Sequence, residues 1–298
     1  MSRKLLYIIN PISGTSKKEN LQAILERETR LAKISYEITA SDKDGNYTAL
    51  VKKIEENKFT DIIICGGDGT VSQVLSCLYH LPVNFGIIPM GSGNGLARAA
   101  KIPMDTQKAL QVIFNGFASK TDAFTVNGKF ACMLVGLGFD AAVAHSFAKS
   151  KTRGLSTYIK ETIKNLFNKK FYETSIFIGE KQIDTSVFLL NIANGNQYGN
   201  EFKIAPFANL QDGLLDVIVI KKQCFGKLLK NIFQLIVGFK KPATAFNEKK
   251  SLLYFQAPQI RIENKNGAPF HIDGDPAGSP ASLEIKIISN AYSLLRTK

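Results

Sequence analysis

A short apolar strand that ends in a glycine turn places the strongest constraint on the fold of this chain. Residues 61–70 read Asp-Ile-Ile-Ile-Cys-Gly-Gly-Asp-Gly-Thr, and residues 71–79 return to apolar residues at helical spacing. The isoleucine run is typical of a strand buried on both faces. The glycines permit positive φ and let a ligand approach the backbone closely. This order of strand, turn and helix predicts an α/β sheet that binds its ligand at the strand end.

Asp68, inside that turn, narrows the kind of ligand. Free N–H groups at a helix start attract phosphate, whereas a carboxylate repels it. Asp68 therefore indicates either a cation that bridges the carboxylate and the phosphate or a proton that must be transferred. The alternative is a tight turn in which Asp68 is an ordinary helix cap, and the turn alone leaves both interpretations open.

Two further predicted strands end in small polar turns. Residues 5–9 are followed by Asn-Pro-Ile-Ser-Gly-Thr, and residues 83–88 by Pro-Met-Gly-Ser-Gly-Asn-Gly. Strands and helices alternate over the first 120 or so residues, which predicts a doubly wound, mostly parallel sheet covered by helices. Strand ends in such a sheet share one edge, so the three turns can meet at one ligand.

After Asp122 the pattern changes to short strands joined by polar turns, interrupted by two predicted helices at residues 158–167 and 225–239. This half is predicted to be mostly antiparallel β, a sandwich or open barrel. We therefore expect an α/β domain at residues 1–121, to which residues 289–298 return, and a β-rich domain at residues 122–288. A cleft is expected between them.

Charge and composition limit the partners. The net charge of +13 indicates an anionic partner. The four cysteines are scattered and the three histidines form no cluster, which favours a reduced, cytoplasmic protein without a zinc site. We expect neither a signal peptide nor a membrane-spanning segment. Nucleic acid is not expected, because the aromatic residues are mostly Phe within apolar runs.

Two basic segments, residues 149–170 and 221–241, interleave lysines with apolar residues. Such a segment could lie at a membrane surface. A single segment of this kind is more often a helix with a core-facing apolar stripe and a solvated basic face.

Several motifs, taken in order, resemble one family. Residues 10–14, 66–70 and 89–98 resemble the nucleotide-binding half of lipid kinases, the family of bacterial diacylglycerol-kinase-like enzymes and of sphingosine and ceramide kinases. In the second half, residues 194–199, 205–208, 212–216 and 272–275 resemble that family's C-terminal signatures. The resemblance covers nearly the whole chain.

The resemblance implies ATP and two cation sites. The implied ATP-binding residues are Asn10, Pro11, Ser13, Gly14, Ser41, Gly66, Gly67, Asp68, Gly69, Thr70, Ser92, Gly93 and Asn94. A catalytic Mg²⁺ would bridge the phosphates, with Asp68 acting through water. A structural cation would be bound by Asn209, Asp212 and Leu214, although Asp212 followed by Gly213 is equally well explained as an ordinary turn.

The catalytic residues are also implied by the resemblance. The family base is usually a glutamate in an Asp-Gly-Glu turn, and this chain has Asp275 there. We expect Asp275 to be the base, Asp273 to raise its pKa by proximity, and Asp68 to act at the phosphates. The alternative for Asp273 and Asp275 is a turn without chemistry. Asp122 matches an acidic position that faces the substrate side of the site.

The implied activity is transfer of the γ-phosphate of ATP to a hydroxyl of a diacylglycerol-, sphingosine- or ceramide-like lipid. The enzyme would be cytoplasmic and peripheral to the inner face of the membrane. Gly95 stands where many bacterial members have Asp, which leans toward the sphingosine and ceramide branch.

Two other functions are considered. NAD kinases share the glycine-aspartate turn, although they lack the segment at residues 91–98. Gln73, Gly95 and Asp275, which depart from the family pattern, are compatible with an inactive module that binds lipid or nucleotide. The sequence leaves the lipid and the oligomeric state open, including a homodimer.

Overall fold

The computed structural model describes residues 3–13, 21–150, 152, 155–196, 203–237 and 250–297. The chain forms two compact units, Met1–Thr121 with Asn290–Lys298, and Asp122–Ser289. They are called here the N-terminal and C-terminal units. Some residues named above lie outside the described part of the chain: Gly14, residues 197–199 of a C-terminal motif, and residues 151, 153–154 and 238–241 of the basic segments.

The N-terminal unit is a parallel sheet with helices between its strands. Its strands are β1 (Lys4–Ile9), β2 (Ser35–Ala40), β3 (Asp61–Gly66) and β4 (Asn84–Pro89), and its helices are α1 (Leu21–Leu31), α2 (Thr48–Glu56), α3 (Asp68–Leu78), α4 (Gly95–Ala99) and α5 (Thr106–Asn115). The strand order is β4-β3-β1-β2, and each adjacent pair is parallel. Every residue of β3 is buried, as its isoleucine run predicts.

An ion pair between partly exposed Arg3 and buried Asp61 fixes the amino-terminal end of β3. Asp61 is fully buried, and its carboxylate accepts hydrogen bonds from Arg3 at 3.0 and 3.1 Å and from Asn84 Nδ2 at 3.2 Å. The Arg3 guanidinium also donates to the carbonyl oxygens of Ile113 and Phe114. These bonds offset the cost of burying the Asp61 carboxylate. The glycine turn follows the opposite, carboxyl end of the strand.

The C-terminal unit is mostly antiparallel. Its strands are β5 (Phe117–Val126), β6 (Lys129–Ala131), β7 (Leu134–Gly138), β8 (Tyr172–Ile178), β9 (Lys181–Ala193), β10 (Leu215–Lys221), β11 (Leu252–Ala257), β12 (Gln259–Asn264), β13 (Phe270–Ile272), β14 (Asp275–Pro276) and β15 (Ser282–Arg296), and its helices are α6 (Phe139–Lys149), α7 (Leu155–Phe167) and α8 (Phe225–Val237). The long strand β9 pairs antiparallel with β7, β8 and β10. An apolar cluster of these strands forms the core of the unit.

Two strands run through the boundary between the units. β5 passes it at Thr121, and β15 passes it at Ser289. β15 pairs antiparallel with β12 over Ser282–Lys286 and parallel with β4 at Ser293 and Leu294. The α/β class of the first half and the antiparallel class of the second half are thereby confirmed.

The prediction of two helices in the second half was wrong, because α6 is a third. Its buried residues include Ala141, Val143 and Ala144, and such small side chains give no wide apolar stripe for sequence analysis to detect. Within the described residues, no helix combines the length and apolarity needed to cross a bilayer.

Candidate active site

The carboxyl ends of the parallel strands bring three predicted turns to one edge of the N-terminal sheet. The ends are in register, because Ile9 pairs with both Ala40 and Cys65, and Gly66 pairs with Pro89. Asn10 and Pro11 therefore follow β1, Ser41 follows β2, Gly67 and Asp68 follow β3, and Ser92 and Gly93 follow β4, with Ser13 in the same loop as Asn10.

The glycine turns after β3 and β4 touch through their backbones. A Cβ atom on Gly91 would lie 2.7 Å from Gly67 Cα, and one on Gly67 would lie 3.0 Å from Gly91 Cα. Neither contact leaves room for a side chain. Glycine at both positions therefore lets the two turns lie side by side and expose backbone rather than side chains.

Asn94 fixes the second turn. Its backbone is left-handed, with φ of 53°, and its side chain bonds both backbone groups of Gly91: Oδ1 accepts from the N–H at 2.8 Å, and Nδ2 donates to the carbonyl at 2.7 Å. Asn94 is buried. It therefore holds the conformation of the turn, a role distinct from the direct ATP contact that the resemblance implies.

The first turn and the start of α3 are joined by a side-chain bond. Asn10 Nδ2 donates to Thr70 Oγ1 at 2.7 Å, and Asn10 Oδ1 accepts from the N–H of Ile12 at 2.9 Å. Gly67 is the N-cap of α3 and has no side chain, so no N-cap side chain bonds the first backbone N–H groups of the helix. N–H groups at a helix start suit anionic oxygens, and Asp68 adds a carboxylate in the first helical turn.

In the C-terminal unit, Asp273 anchors the turn that carries Asp275. The Asp273 carboxylate accepts hydrogen bonds from the backbone N–H groups of Cys132, Met133 and Leu134 at 2.9–3.0 Å. Its own N–H donates to Leu134 O at 2.9 Å, and its backbone is left-handed with φ of 49°. Asp273 is thus tied to β7, and it sets the conformation of the turn.

Asp275 is exposed at the start of β14. Although the residue as a whole is exposed, partial desolvation of its carboxyl raises the pKa of Asp275 above the ordinary value; the negative charge of Asp273 raises the pKa further, and His271 opposes the shift. This is the direction that the sequence predicts for this pair. A raised pKa makes a carboxylate a better proton acceptor near neutral pH.

A buried polar pair that sequence reasoning missed lies behind this turn. His271 Nδ1 accepts from the N–H of Gly274 at 3.2 Å, so Nε2 is the nitrogen that donates to Asp140 Oδ2, at 3.3 Å. Asp140 also accepts from Asn191 Nδ2 at 2.9 Å. Asp140 and His271 are 5% and 1% exposed. The available signal was His271 itself, two residues before Asp273.

Asp122 bonds the turn of the C-terminal unit that carries two of the predicted structural-cation residues, Asp212 and Leu214. Asp122 is buried, and its Oδ2 accepts from the N–H of Gly213 at 2.8 Å. Asp212 Oδ1 accepts from the N–H of Leu214 at 3.1 Å, and Asn209 is exposed nearby in sequence. Asp122 thereby supports the Asp212 turn, an arrangement that the sequence did not predict.

The donor chemistry of this turn fits a hard cation. Partial burial raises the pKa of Asp212, the N–H of Leu214 lowers it, and the charge of Asp122 raises it. Carboxylate and carbonyl oxygens are the ligands that Mg²⁺ and Ca²⁺ prefer. No group of three or more His, Cys, Asp or Glu with metal-binding geometry occurs in the described part of the chain.

A parallel sheet whose turns meet at one edge, followed by an antiparallel unit with an Asp-Gly-Asp turn, is the arrangement of a two-domain protein that binds a phosphorylated ligand at the sheet edge. A model of the diacylglycerol kinase catalytic domain matches residues 4–126, and a model of the YegS C-terminal NAD kinase beta sandwich-like domain matches residues 133–295. The chain belongs to the lipid kinase family that these two domains describe.

Relatives support this assignment over nearly the full chain. The chain is 28% identical to a diacylglycerol kinase of Staphylococcus epidermidis over 95% of its own length and 89% of the relative, and 27% identical to one of Bacillus subtilis over 93% and 91%. The crystal structure of a diacylglycerol kinase from Bacillus anthracis matches with a TM-score of 0.74 over 99% of this chain and 97% of that one. At 19% identity, that likeness shows the fold.

Proposed function

We propose that this protein transfers the γ-phosphate of ATP to a hydroxyl group of a membrane lipid. The observation that carries the proposal is the meeting of three strand-end turns at the carboxyl edge of the parallel sheet, where the Gly67 and Gly91 backbones pack together and α3 begins without a capping side chain. Membership of the lipid kinase family supports the same reaction.

ATP binds at that edge. The triphosphate lies against the turns after β1, β3 and β4, and Ser41 borders the site after β2. The ATP-binding residues are Asn10, Pro11, Ser13, Gly14, Ser41, Gly66, Gly67, Asp68, Gly69, Thr70, Ser92, Gly93 and Asn94, with Asn94 acting through Gly91 and Gly14 outside the described residues. Asp68 would hold Mg²⁺ through water, and the ion would neutralise phosphate charge.

Asp275 acts as general base. Its carboxylate takes the proton of the lipid hydroxyl while that oxygen attacks the γ-phosphorus, and ADP leaves with the bridging oxygen. The raised pKa of Asp275 favours proton acceptance. Asp273 serves as a positioning residue, because three backbone N–H groups already occupy its carboxylate.

A structural cation is proposed at the turn of Asn209, Asp212 and Leu214. Asp212 would contribute its carboxylate, and Asn209 and Leu214 their carbonyl oxygens. The ion would relieve the repulsion between Asp212 and Asp122, which supports the turn through Gly213. This cation would stabilise the turn and would take no part in phosphoryl transfer.

Diacylglycerol is the first substrate to test. Gly95 leans toward the sphingosine and ceramide branch, but relatives that are 27–28% identical over more than nine-tenths of this chain carry the name diacylglycerol kinase. We propose that the enzyme works at the inner face of the membrane, reached through the basic segments at residues 149–170 and 221–241. A homodimer stays open.

Phosphorylation of NAD is the alternative function, because the C-terminal domain model is described as NAD kinase beta sandwich-like. The test supplies γ-labelled ATP and Mg²⁺ with diacylglycerol, ceramide, sphingosine or NAD in turn. We expect label in the extracted lipid, and we expect Asp68→Asn to lower the rate by about 100-fold or more through lost charge stabilisation. Label in NADP, or ATP binding without transfer to any acceptor, would overturn the proposal.

A further inference from the structure

Helix α7 exposes apolar side chains and buries polar ones. Ile159, Ile163 and Phe167, at every fourth residue, are 48%, 51% and 75% exposed. On the opposite side, Thr157 and Glu161 are buried. This face packs against α6, where Asn165 Nδ2 donates to Ser146 Oγ at 3.1 Å. The Tyr158 ring belongs to the same face and lies 5.8 Å, between ring centres, from Phe147 of α6. Helix α7 therefore packs by a mixed face and leaves its stripe of Ile159, Ile163 and Phe167 exposed.

Helix α8 has a related arrangement. Phe225, Leu229 and Phe233 follow the same spacing and are 38%, 41% and 65% exposed. Asn231 is buried, and its Nδ2 donates to Gln223 Oε1 and Ser251 Oγ at 3.1 Å. Of the nine large apolar side chains exposed in the described part of the chain, six lie on α7 and α8.

Lysines connect and surround the two apolar stripes. Lys169 Nζ, just after α7, lies 4.8 Å from the ring centre of Phe225 at the start of α8. Lys222 Nζ, just before α8, lies 5.9 Å from the ring centre of Phe171, just after α7. The carboxyl end of α7 and the amino end of α8 are therefore neighbours in the C-terminal unit.

The charge of this surface has one sign. Helix α7 carries exposed Lys160 and Lys164, and α8 carries exposed Lys227 and Lys230. Glu161, the acidic residue of α7, is buried, with Oε2 3.9 Å from Lys164 Nζ, and the sequence of α8 contains no Asp or Glu. Basic residues beside exposed Phe, Leu and Ile are the composition of helices that lie in an anionic membrane interface.

We propose that the six apolar side chains of α7 and α8 insert into the interface of an anionic lipid bilayer while the surrounding lysines contact its phosphates. A second copy of the chain fits this surface poorly, because two such faces would bring like charges together. The inference deepens the proposed function, on which it rests for its purpose: it identifies the surface through which the enzyme reaches a lipid substrate.

The test is vesicle co-sedimentation of the full chain without ATP, so its result is independent of phosphoryl transfer. Vesicles of phosphatidylcholine alone are compared with equimolar phosphatidylcholine and phosphatidylglycerol. We expect binding to the anionic vesicles, weakened by salt. Replacement of Ile163, Phe167 and Phe233 by Ser is expected to lower the partition coefficient by about 100-fold or more, because each apolar side chain loses its burial in lipid.

Two matched variants complete the test. Leu31→Ser removes an apolar side chain of α1 that is 71% exposed, and we expect it to bind as the unchanged protein does. Lys164→Glu combined with Lys230→Glu is expected to lower binding to anionic vesicles by about 10-fold or more. All replaced side chains are exposed, and circular dichroism verifies that the variants fold.

Three results would overturn the inference. They are absence of vesicle binding by the unchanged protein, equal binding by the triple Ser variant, and a dimer in sedimentation equilibrium that the triple variant converts to monomer while vesicle binding persists. Failure of the proposed function would give a different result. The protein would bind vesicles through this face but would phosphorylate no lipid acceptor.

Discussion

The Nε2 atom of His271 lies 3.3 Å from Oδ2 of Asp140, and this buried pair supports the turn that carries Asp275. Nδ1 of the same ring accepts from the N–H of Gly274, the residue between Asp273 and Asp275. The imidazole therefore connects α6 to the peptide that precedes the proposed base. Because the ring is rigid, Asp140 indirectly limits the directions in which Asp275 can point.

Loss of this ring should affect turnover more than nucleotide binding. His271→Leu removes both ring bonds, and we expect kcat to fall by about 10- to 100-fold through misplacement of the base, with an unchanged Kd for ATP. His271→Gln keeps a donor that can reach Asp140, so it should recover part of kcat. Steady-state kinetics and calorimetry measure the two quantities. Equal kcat values for the Leu and Gln variants would contradict a positioning role.

Asp273→Asn should destabilise the protein more than Asp275→Asn. The Asp273 carboxylate accepts from three backbone N–H groups, whereas Asp275 is exposed. Hydrogen bonds to a charged group contribute about 1.5–3 kcal/mol each, and an amide keeps part of them, so we expect a loss of about 2 kcal/mol in the free energy of unfolding. Urea denaturation followed by circular dichroism measures it. Equal stability of the two variants would argue against the anchoring role of Asp273.

The pH dependence of kcat/KM should report the raised pKa of Asp275. A general base must be deprotonated, so activity falls as the pH drops through its pKa, and a raised pKa moves this decline above the range of an ordinary aspartate. Asp273→Asn removes a neighbouring negative charge and should move the decline to lower pH. A decline that stays in place in this variant would show that the charge of Asp273 does not act on the base.

The parallel half of the candidate site could be predicted from sequence, because an apolar strand followed by a glycine turn fixes both the sheet and the edge where its ligand lies. Asn10, Gly67 and Gly91 indeed lie at one edge. The Asp140–His271 pair could not be predicted, because the two residues are 131 positions apart in the sequence. Asp140 also lies on α6, a helix whose small side chains give no clear apolar pattern. The periodicity of α7 also predicts a helix without revealing that Ile159, Ile163 and Phe167 are exposed.

Gly91→Ala should weaken ATP binding. The added Cβ would lie 2.7 Å from Gly67 Cα and 2.9 Å from Asn94 Oδ1, so the two turns must move apart. Overpacking of this kind costs about 1–3 kcal/mol, and we expect the Kd for ATP to rise by about 10-fold. Gly226→Ala on α8, whose Cβ would meet nothing within 4 Å, is the control for calorimetry. An unchanged Kd for Gly91→Ala would place the nucleotide elsewhere.

The most direct test of phosphoryl transfer to a lipid with Asp275 as base is Asp275→Asn. It is measured by single-turnover transfer from γ-labelled ATP to dispersed diacylglycerol, beside calorimetric ATP binding. The variant keeps the shape of the side chain but cannot accept the proton. We predict a rate lower by about 100-fold or more with an ATP Kd unchanged within about twofold. Equal loss of transfer and of ATP affinity, or undiminished transfer, would contradict this mechanism.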